Sequence, residues 1–292
     1  MGMGGARIRV LECGHTTLDY ELAVTVSPEE AVTRERPENR RRLLTHPIYA
    51  YVVEHPEGRL IVDTGVSADF AKQWRKGFYA GAMAHDPGPD GTFVQRLEQN
   101  RLGPEDFDYV VLSHLHTDHA GNAPLFKTAG AKILVHEDEL RGAVLVKGGL
   151  VRDDDVTLWG VTSQQGFVRA NYGFLVPDRA TTFYGDVELM KGVWVVSVPG
   201  HTWGTAGVAV RLERQGWVLI ASDAIYLADT YRRPFVGSIL NQNQELWARS
   251  AAKIRRMVER YDMKVLPGHD DKCIEGMEGD VARVTRIADV YE

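Results

Sequence analysis

Three histidines and one aspartate follow directly on the apolar run Tyr109–Leu112. The run predicts a buried strand, and a strand end is a place where a chain can aim several side chains at one point. Imidazole nitrogens and carboxylate oxygens are the ligands that borderline divalent ions such as zinc prefer. His114 and His116 can share one ion, whereas Asp118 and His119 face away from it across a turn. The cluster therefore predicts a site for two metal ions.

Further candidate ligands follow three other apolar runs, each of which predicts a strand. They are His201, Asp223 and His269. Both histidines come directly after a Pro-Gly pair that closes the strand, and the carboxylate of Asp223 has two oxygens with which to bridge two ions. Taken singly, each residue is more readily explained as a hydrogen-bonded structural residue. Taken together with the cluster, they predict a set of seven ligands.

The composition limits the classes of protein to consider. A chain of 292 residues that is 44% hydrophobic and 25% charged suits one large globular unit or two fused halves. A formal charge of -6 offers no field that attracts phosphates, so we expect no nucleic-acid partner. No apolar stretch approaches the roughly 20 residues that span a bilayer, and we expect a soluble, cytoplasmic protein. Cys13 and Cys273 make no disulfide framework, and both are expected to be free.

The elements that must position the ligands alternate along the chain. Strands are predicted in both halves, with helices between them and after them. The predicted helices are near Ala68–Gly77, Thr92–Asn100, Glu137–Val146 and Gln242–Tyr261, and the last is amphipathic. This order predicts an α+β protein in which helices flank two mixed β-sheets. In such an αββα sandwich we expect the metal site at one rim between the sheets.

With these motifs the chain resembles the metallo-β-lactamase superfamily and, within it, the N-acyl-homoserine lactone lactonases. The motif H-x-H-x-D-H, the Gly-His pair at 200–201, Asp223 and Gly-His-Asp at 268–270 occur in the order of that family. The resemblance implies one domain over residues 1–292 and two divalent ions per chain. Zinc is the expected metal, and iron, cobalt or manganese are the alternatives. The implied ligands are His114, His116 and His201 for the first ion, Asp118, His119 and His269 for the second, and Asp223 as a bridge.

The resemblance also implies a reaction. Two ions about 3.5 to 4 Å apart share a water and bring its pKa toward 7, and the bridging hydroxide opens a lactone ring. Tyr226, placed after Asp223 as in the lactonases, would stabilise the oxyanion, although packing at a strand exit is the alternative. Asp118 would carry a proton to the leaving alkoxide. Asp63 either supports a histidine ligand from behind or caps the turn before Gly65.

Single features of the sequence argue against other reactions of the superfamily. An intact His116 favours hydrolysis over the chemistry of the redox diiron members, which replace an early histidine with a carboxylate. Thioesterases of the glyoxalase II type add a C-terminal helical domain, for which too few residues follow His269. A small carboxylic ester, a pyridine-fused lactone, a thioester and a phosphotriester stay as alternative substrates.

Two segments, residues 66–103 and 136–180, carry no motif of the family. They are candidates for a lid, a substrate wall or the contact between two subunits of a homodimer, and a place in the core is a further alternative for residues 66–103. Both contain aromatic residues that suit an apolar acyl chain or a flat ring. The expected partner is therefore a small-molecule lactone, with neither nucleic acid nor membrane.

Overall fold

Two β-sheets that face each other form the centre of the molecule, and helices cover them. The structure of the protein is a computed structural model. The residues that it describes are 5–24, 33–36, 43–73, 83–86, 91–147, 167–176, 179–232, 238, 240–270 and 290–291.

The strands divide between the two sheets as follows. The first sheet contains β1 (Arg7–Asp19), β2 (Leu43–His55), β3 (Gly58–Val62), β4 (Met83–Asp86), β5 (Tyr109–Val111), β6 (Lys132–His136), β7 (Ala180–Phe183) and β13 (Val290–Tyr291). The second sheet contains β8 (Val187–Met190), β9 (Val193–Ser197), β10 (Ala206–Leu212), β11 (Gly216–Ser222) and β12 (Lys264–Pro267).

Both sheets are mixed, as the sequence predicts. In the part of the chain that is described, the first sheet has the order β13-β1-β2-β3-β5-β6-β7, with β4 paired to β1, and the second has the order β12-β11-β10-β9-β8. Strands β3, β5, β6 and β7 run parallel to one another, and β11 runs parallel to β12, whereas the other pairs are antiparallel. Parallel neighbours bring their carboxyl ends to the same edge, which is where the predicted ligands follow.

The α-helices lie between and after the strands. They are α1 (Tyr20–Ala23), α2 (Phe70–Gln73), α3 (Phe93–Gln99), α4 (Thr117–Ala120), α5 (Glu137–Lys147), α6 (Arg169–Tyr172), α7 (Ala228–Arg232) and α8 (Gln244–Tyr261). No helix within the described ranges is both long enough and apolar enough to cross a bilayer.

Three of the five apolar clusters that the described residues form hold the layers together. The central core fills the space between the sheets, with Val10, Tyr51, Val62, Val208 and Ile220 among its members. An outer core packs Phe93 and Leu97 of α3 against the first sheet. Another packs Ile254 of α8 against the second sheet. The layers are therefore helix, sheet, sheet, helix, and the predicted αββα sandwich is confirmed.

Details of the prediction differ from the structure. Strand β4 lies inside the segment 66–103, where the sequence shows no strand pattern, and it forms by pairing with the distant β1. The prediction also lacked β8, which pairs with β9. The buried face of α8 centres on Trp247, Ala251 and Ile254, whereas Tyr261 at the end of the helix is exposed.

Candidate metal centre

The seven predicted ligands meet at one rim between the sheets. His114 and His116 lie in the loop after β5, Asp118 and His119 lie in α4, and His201, Asp223 and His269 follow β9, β11 and β12. Their ligand atoms form two groups in which all atoms lie within 4.8 Å of one another, and all seven residues are buried. We call His114, His116, His201 and Asp223 the first group and Asp118, His119 and His269 the second group.

Close packing fixes the loops that carry these residues. Gly200, directly before His201, has a φ of 134°, and a side chain there would overlap the backbone of Trp247 at the start of α8. Gly268, directly before His269, lies so near Asp223 that a Cβ atom would be 2.5 Å from its Oδ1. Both glycines of the Pro-Gly-His repeats are thus required for close approach to other elements.

In the first group, three imidazole nitrogens point toward a common centre. Nδ1 of His116 is 3.0 Å from Nε2 of His114 and 3.1 Å from Nε2 of His201. The other ring nitrogen of His114, Nδ1, lies 3.1 Å from the hydroxyl of Ser113. Because that hydroxyl donates its own proton to Asp63, it accepts from His114, and Nε2 of His114 is left with a lone pair directed at the centre.

In the second group, too, contacts behind the rings decide which nitrogens face the centre. Nδ1 of His119 is 2.9 Å from Oδ2 of Asp63, and Nδ1 of His269 is 2.9 Å from the carbonyl oxygen of Pro47. In the neutral, metal-binding form of each ring, Nδ1 donates and Nε2 carries a lone pair. Yet these Nε2 atoms face each other at 3.2 Å. Two lone pairs at this distance repel each other unless a cation lies between them, so the donors fit a divalent ion.

Asp118 completes the second group. Its Oδ2 is 3.7 Å from Nε2 of His119 and 3.5 Å from Nε2 of His269. Burial alone would raise the pKa of this carboxyl, but His119, His85 and His269 outweigh burial and lower it to about 2. Asp118 is therefore ionised at neutral pH and can accept a proton.

Asp223 lies between the two groups. Its Oδ2 is 3.1 Å from Nε2 of His201, while its Oδ1 is 3.2 Å from Nε2 of His269 and 3.3 Å from Nε2 of His119. Burial raises the pKa of this carboxyl, but the neighbouring histidines outweigh burial and hold the pKa well below its ordinary value. One carboxylate thus offers an oxygen to each group, which is the geometry that a bridging ligand needs.

Asp63 lies behind the second group, as one of the two interpretations of the sequence suggested. Besides facing His119, it accepts hydrogen bonds from the backbone N–H and the hydroxyl of Ser113. Its φ of 61° is in the left-handed region, a strained conformation that often accompanies functional sites. Ser222, with a φ of 46°, donates its hydroxyl to Ser113. These side chains connect the backbone next to Asp223 with the imidazole of His119.

Tyr226 lies beside both groups. Its ring centroid is 4.5 Å from that of His269 and 6.5 Å from that of His201. Burial raises the pKa of the phenol well above its ordinary value, and the charges of Asp223 and Asp118 raise it further, so the hydroxyl stays protonated. The described residues offer this buried hydroxyl no hydrogen-bond partner. It is therefore an unused donor at the rim of the centre.

Glu139 of α5 is a residue that the sequence analysis missed. It is fully buried, and its two carboxylate oxygens accept from the backbone N–H groups of Leu115 and Gly204, both at 2.9 Å. Leu115 lies between His114 and His116, and Gly204 belongs to the loop of His201. Glu139 thus joins the two loops of the first group. Its segment has no motif, and no local sequence pattern predicts the contact of Glu139 with these two loops.

Of the two segments without a family motif, residues 136–180 place an aromatic ring against a ligand residue, whereas residues 66–103 contribute to the packing around the sheets. In the segment 66–103, His85 of β4 packs edge-on against Phe70, and Phe93 belongs to an outer core. In the segment 136–180, the ring centroid of Phe167 lies 5.3 Å from that of His116. Other aromatics that suggested a lid or a wall lie outside the described residues: Trp74, Phe78, Tyr79 and Trp159.

Comparison with known proteins identifies the class. The model of the metallo-beta-lactamase superfamily matches residues 44–269. The chain belongs to this superfamily, and the resemblance seen in its sequence is confirmed. Family, fold and ligand groups together define a metal-dependent hydrolase, and the two groups fit a dinuclear divalent metal site.

Two related proteins share sequence with this chain over most of its length. The N-acyl homoserine lactonase AiiB of Agrobacterium fabrum is 29% identical over 282 residues, which cover 91% of this chain and 94% of the relative. The N-acyl homoserine lactonase AiiA of Bacillus thuringiensis subsp. kurstaki is 26% identical over 234 residues, covering 78% of this chain and 83% of the relative.

Solved structures share the fold. An N-acyl homoserine lactone hydrolase with the product N-hexanoyl-L-homoserine bound at its catalytic metal centre superposes with a TM-score of 0.74, at 22% identity, over 99% of this chain and 100% of the other. AidC, a dizinc quorum-quenching lactonase in complex with a product, superposes with a TM-score of 0.63, at 14% identity, over 99% of this chain and 94% of the other.

Proposed function

We propose that this protein is a dinuclear metal-dependent lactonase whose substrate is an N-acyl-homoserine lactone or a related γ-lactone. The observation that carries the proposal is the Tyr226 hydroxyl, a protonated and unpartnered donor against His269 of one group and His201 of the other. The names of the relatives AiiB and AiiA support the same substrate class.

The chemistry of the proposal follows from the ligand set. When bound, two divalent ions supply a Lewis acid and a hydroxide at neutral pH. The protein then has to orient the ester and manage protons. Tyr226 donates its hydrogen bond to the ring carbonyl oxygen and stabilises the negative charge that develops there. Asp118, ionised and next to the space between the groups, would accept the proton that the attacking hydroxide carries and deliver it to the alkoxide that leaves when the ring opens, which gives a carboxylate and a hydroxyl group.

The residue roles are part of the proposal. Seven residues are assigned as metal ligands: His114, His116 and His201, then Asp118, His119 and His269, and Asp223 as the bridge. Asp63 is assigned to hold His119 and keep its Nε2 lone pair available to the ion. Zinc as the native metal, one domain over residues 1–292, a homodimer and a cytoplasmic location stay predictions.

A substrate panel tests the proposal. Protein reconstituted with zinc would be given N-hexanoyl-homoserine lactone, an alkyl γ-lactone, a carboxylic ester, a glutathione thioester, a phosphotriester and a β-lactam. A pH indicator follows turnover, because opening a lactone to a hydroxy acid releases one proton near neutral pH. We expect the lactones to be the best substrates by kcat/KM. Turnover of the thioester, phosphotriester or β-lactam together with indifference to both lactones would contradict the proposal.

A further inference from the structure

A second unpartnered polar atom lies beside Tyr226. His46 is a residue of β2, opposite Thr16 of β1. Its side chain is buried, with 4% of its surface exposed, and the described residues offer its Nε2 no hydrogen-bond partner. The ring packs edge-to-face against Tyr226, with 5.9 Å between the ring centroids and 83° between the planes.

Among the described residues, no contact explains an imidazole at this position. A buried nitrogen without a partner costs free energy, and an apolar side chain of similar size would fill the space without that cost. Two other buried imidazoles outside the ligand groups are paired: Nε2 of His136 lies 3.1 Å from the hydroxyl of Ser197, and Nδ1 of His85 pairs with the hydroxyl of Thr16. His46 differs from them, and such an exception calls for an explanation outside the fold.

The surroundings of His46 point to the substrate. The next residue, Pro47, holds the ligand His269 through its carbonyl oxygen. The neighbouring ring, Tyr226, carries the unpartnered hydroxyl that we assign to the lactone carbonyl. Burial and the nearby His269 lower the pKa of His46 to about 3, so at neutral pH its ring offers one donor and one acceptor. Two adjacent side chains in one buried wall thus have unused hydrogen-bonding atoms.

We propose that His46 is a specificity-determining residue that hydrogen-bonds to the amide group of an N-acylated lactone while Tyr226 binds the ring carbonyl. The inference rests on the proposed function and deepens it. In an α-acylamino lactone the amide is attached to the ring carbon next to the carbonyl, so the two polar groups of the substrate are neighbours, as the two side chains are. A lactone without the amide leaves Nε2 of His46 unpaired.

The test compares two substrates in matched variants. His46→Leu removes the hydrogen-bonding atom, and His55→Leu removes an imidazole from the other end of the same strand, where His55 contacts the carbonyl oxygen of Lys191. The substrates are N-hexanoyl-homoserine lactone and a γ-lactone that carries an alkyl chain of similar length without an amide. Metal content and thermal unfolding are measured for every variant.

We expect His46→Leu to lower kcat/KM for the N-acyl lactone by about tenfold to a hundredfold, the value of one buried hydrogen bond. For the alkyl lactone the expected loss is smaller, under about threefold, so the preference for the amide collapses. His55→Leu should keep the preference. His46→Gln, which retains a neutral hydrogen-bonding group, should restore part of it. His46→Met replaces the leucine variant if leucine prevents folding.

Equal losses on both lactones, or no loss on either, would overturn the role of His46 and leave the proposed function standing. Failure of the wild-type protein to open either lactone would overturn both.

Discussion

The first and second ligand groups differ in what holds their imidazoles from behind. In the second group, Nδ1 of His119 faces a carboxylate oxygen of Asp63, and Nδ1 of His269 faces the carbonyl oxygen of Pro47, both at 2.9 Å. In the first group, Nδ1 of His114 reaches only a serine hydroxyl, at 3.1 Å, and Nδ1 of His201 has no partner among the described residues. A carboxylate behind an imidazole orients the ring and raises its basicity. We therefore expect the second group to hold its ion more tightly.

The largest effect should come from the residue that the two groups share. Asp223→Asn removes the charge that faces His201 on one side and His269 on the other. We expect activity to fall by more than about 100-fold, which exceeds the loss expected when a group that only supports a metal ligand is removed. We also expect elemental analysis to find less of both ions. Asp229→Asn, in α7, is the matched control. Loss of one ion alone would show that Asp223 belongs to a single group.

The second group is tested separately through Asp63. Asparagine tolerates a left-handed backbone, so Asp63→Asn keeps the turn but removes the negative charge behind His119. We expect about tenfold to a hundredfold weaker binding of one ion, measured by competition with a chelator. Asp69→Asn, at an exposed position, should bind both ions as the wild type does. Equally weakened binding of both ions would contradict the expected difference between the two groups.

A side chain that belongs to neither group should separate chemistry from metal binding. Tyr226→Phe keeps the ring against His269 but removes the hydroxyl, and we expect kcat on the best lactone to fall by about tenfold to a hundredfold. Metal content should stay at the wild-type level. Tyr231→Phe, in α7, provides the comparison. Full activity of the Tyr226 variant would favour the packing interpretation and would remove the residue that favours a lactonase.

The smallest expected effect concerns the first group. Glu139→Gln replaces one of the two oxygens that accept from Leu115 and Gly204 with an amide group, which cannot accept. We expect the free energy of unfolding to fall by about 1 to 3 kcal/mol, and one ion to be released more readily. Glu137→Gln, on the exposed side of the same helix, is the control, and thermal unfolding with and without chelator is the measurement. Equal release of both ions would contradict a role confined to the first group.

Local sequence was sufficient to predict the seven residues that the structure brings together, because each follows an apolar run that forms a strand. The Pro-Gly-His repeat at His201 and His269 also needs only neighbouring residues to be recognised. The two mixed sheets followed from the same runs. The turn between His116 and Asp118 divided the first cluster, whereas the placement of His201 and His269 in different groups came from the resemblance to the family.

The residues that support the ligands could not be predicted in the same way. Glu139 contacts Leu115, 24 positions away, and Pro47 contacts His269, 222 positions away. His46 lies in a strand whose local pattern marks only burial. The contacts of Pro47 and His46 depend on how the two sheets face each other, and that of Glu139 depends on how α5 packs beside the loop after β5. A single sequence without a structure fixes neither arrangement.

Counting ions tests the central claim most directly. The account requires two divalent ions per chain, held by two groups that share Asp223. Elemental analysis of folded, active protein purified without chelators should find close to two equivalents per chain. Full activity with one equivalent, or with none, would contradict the account.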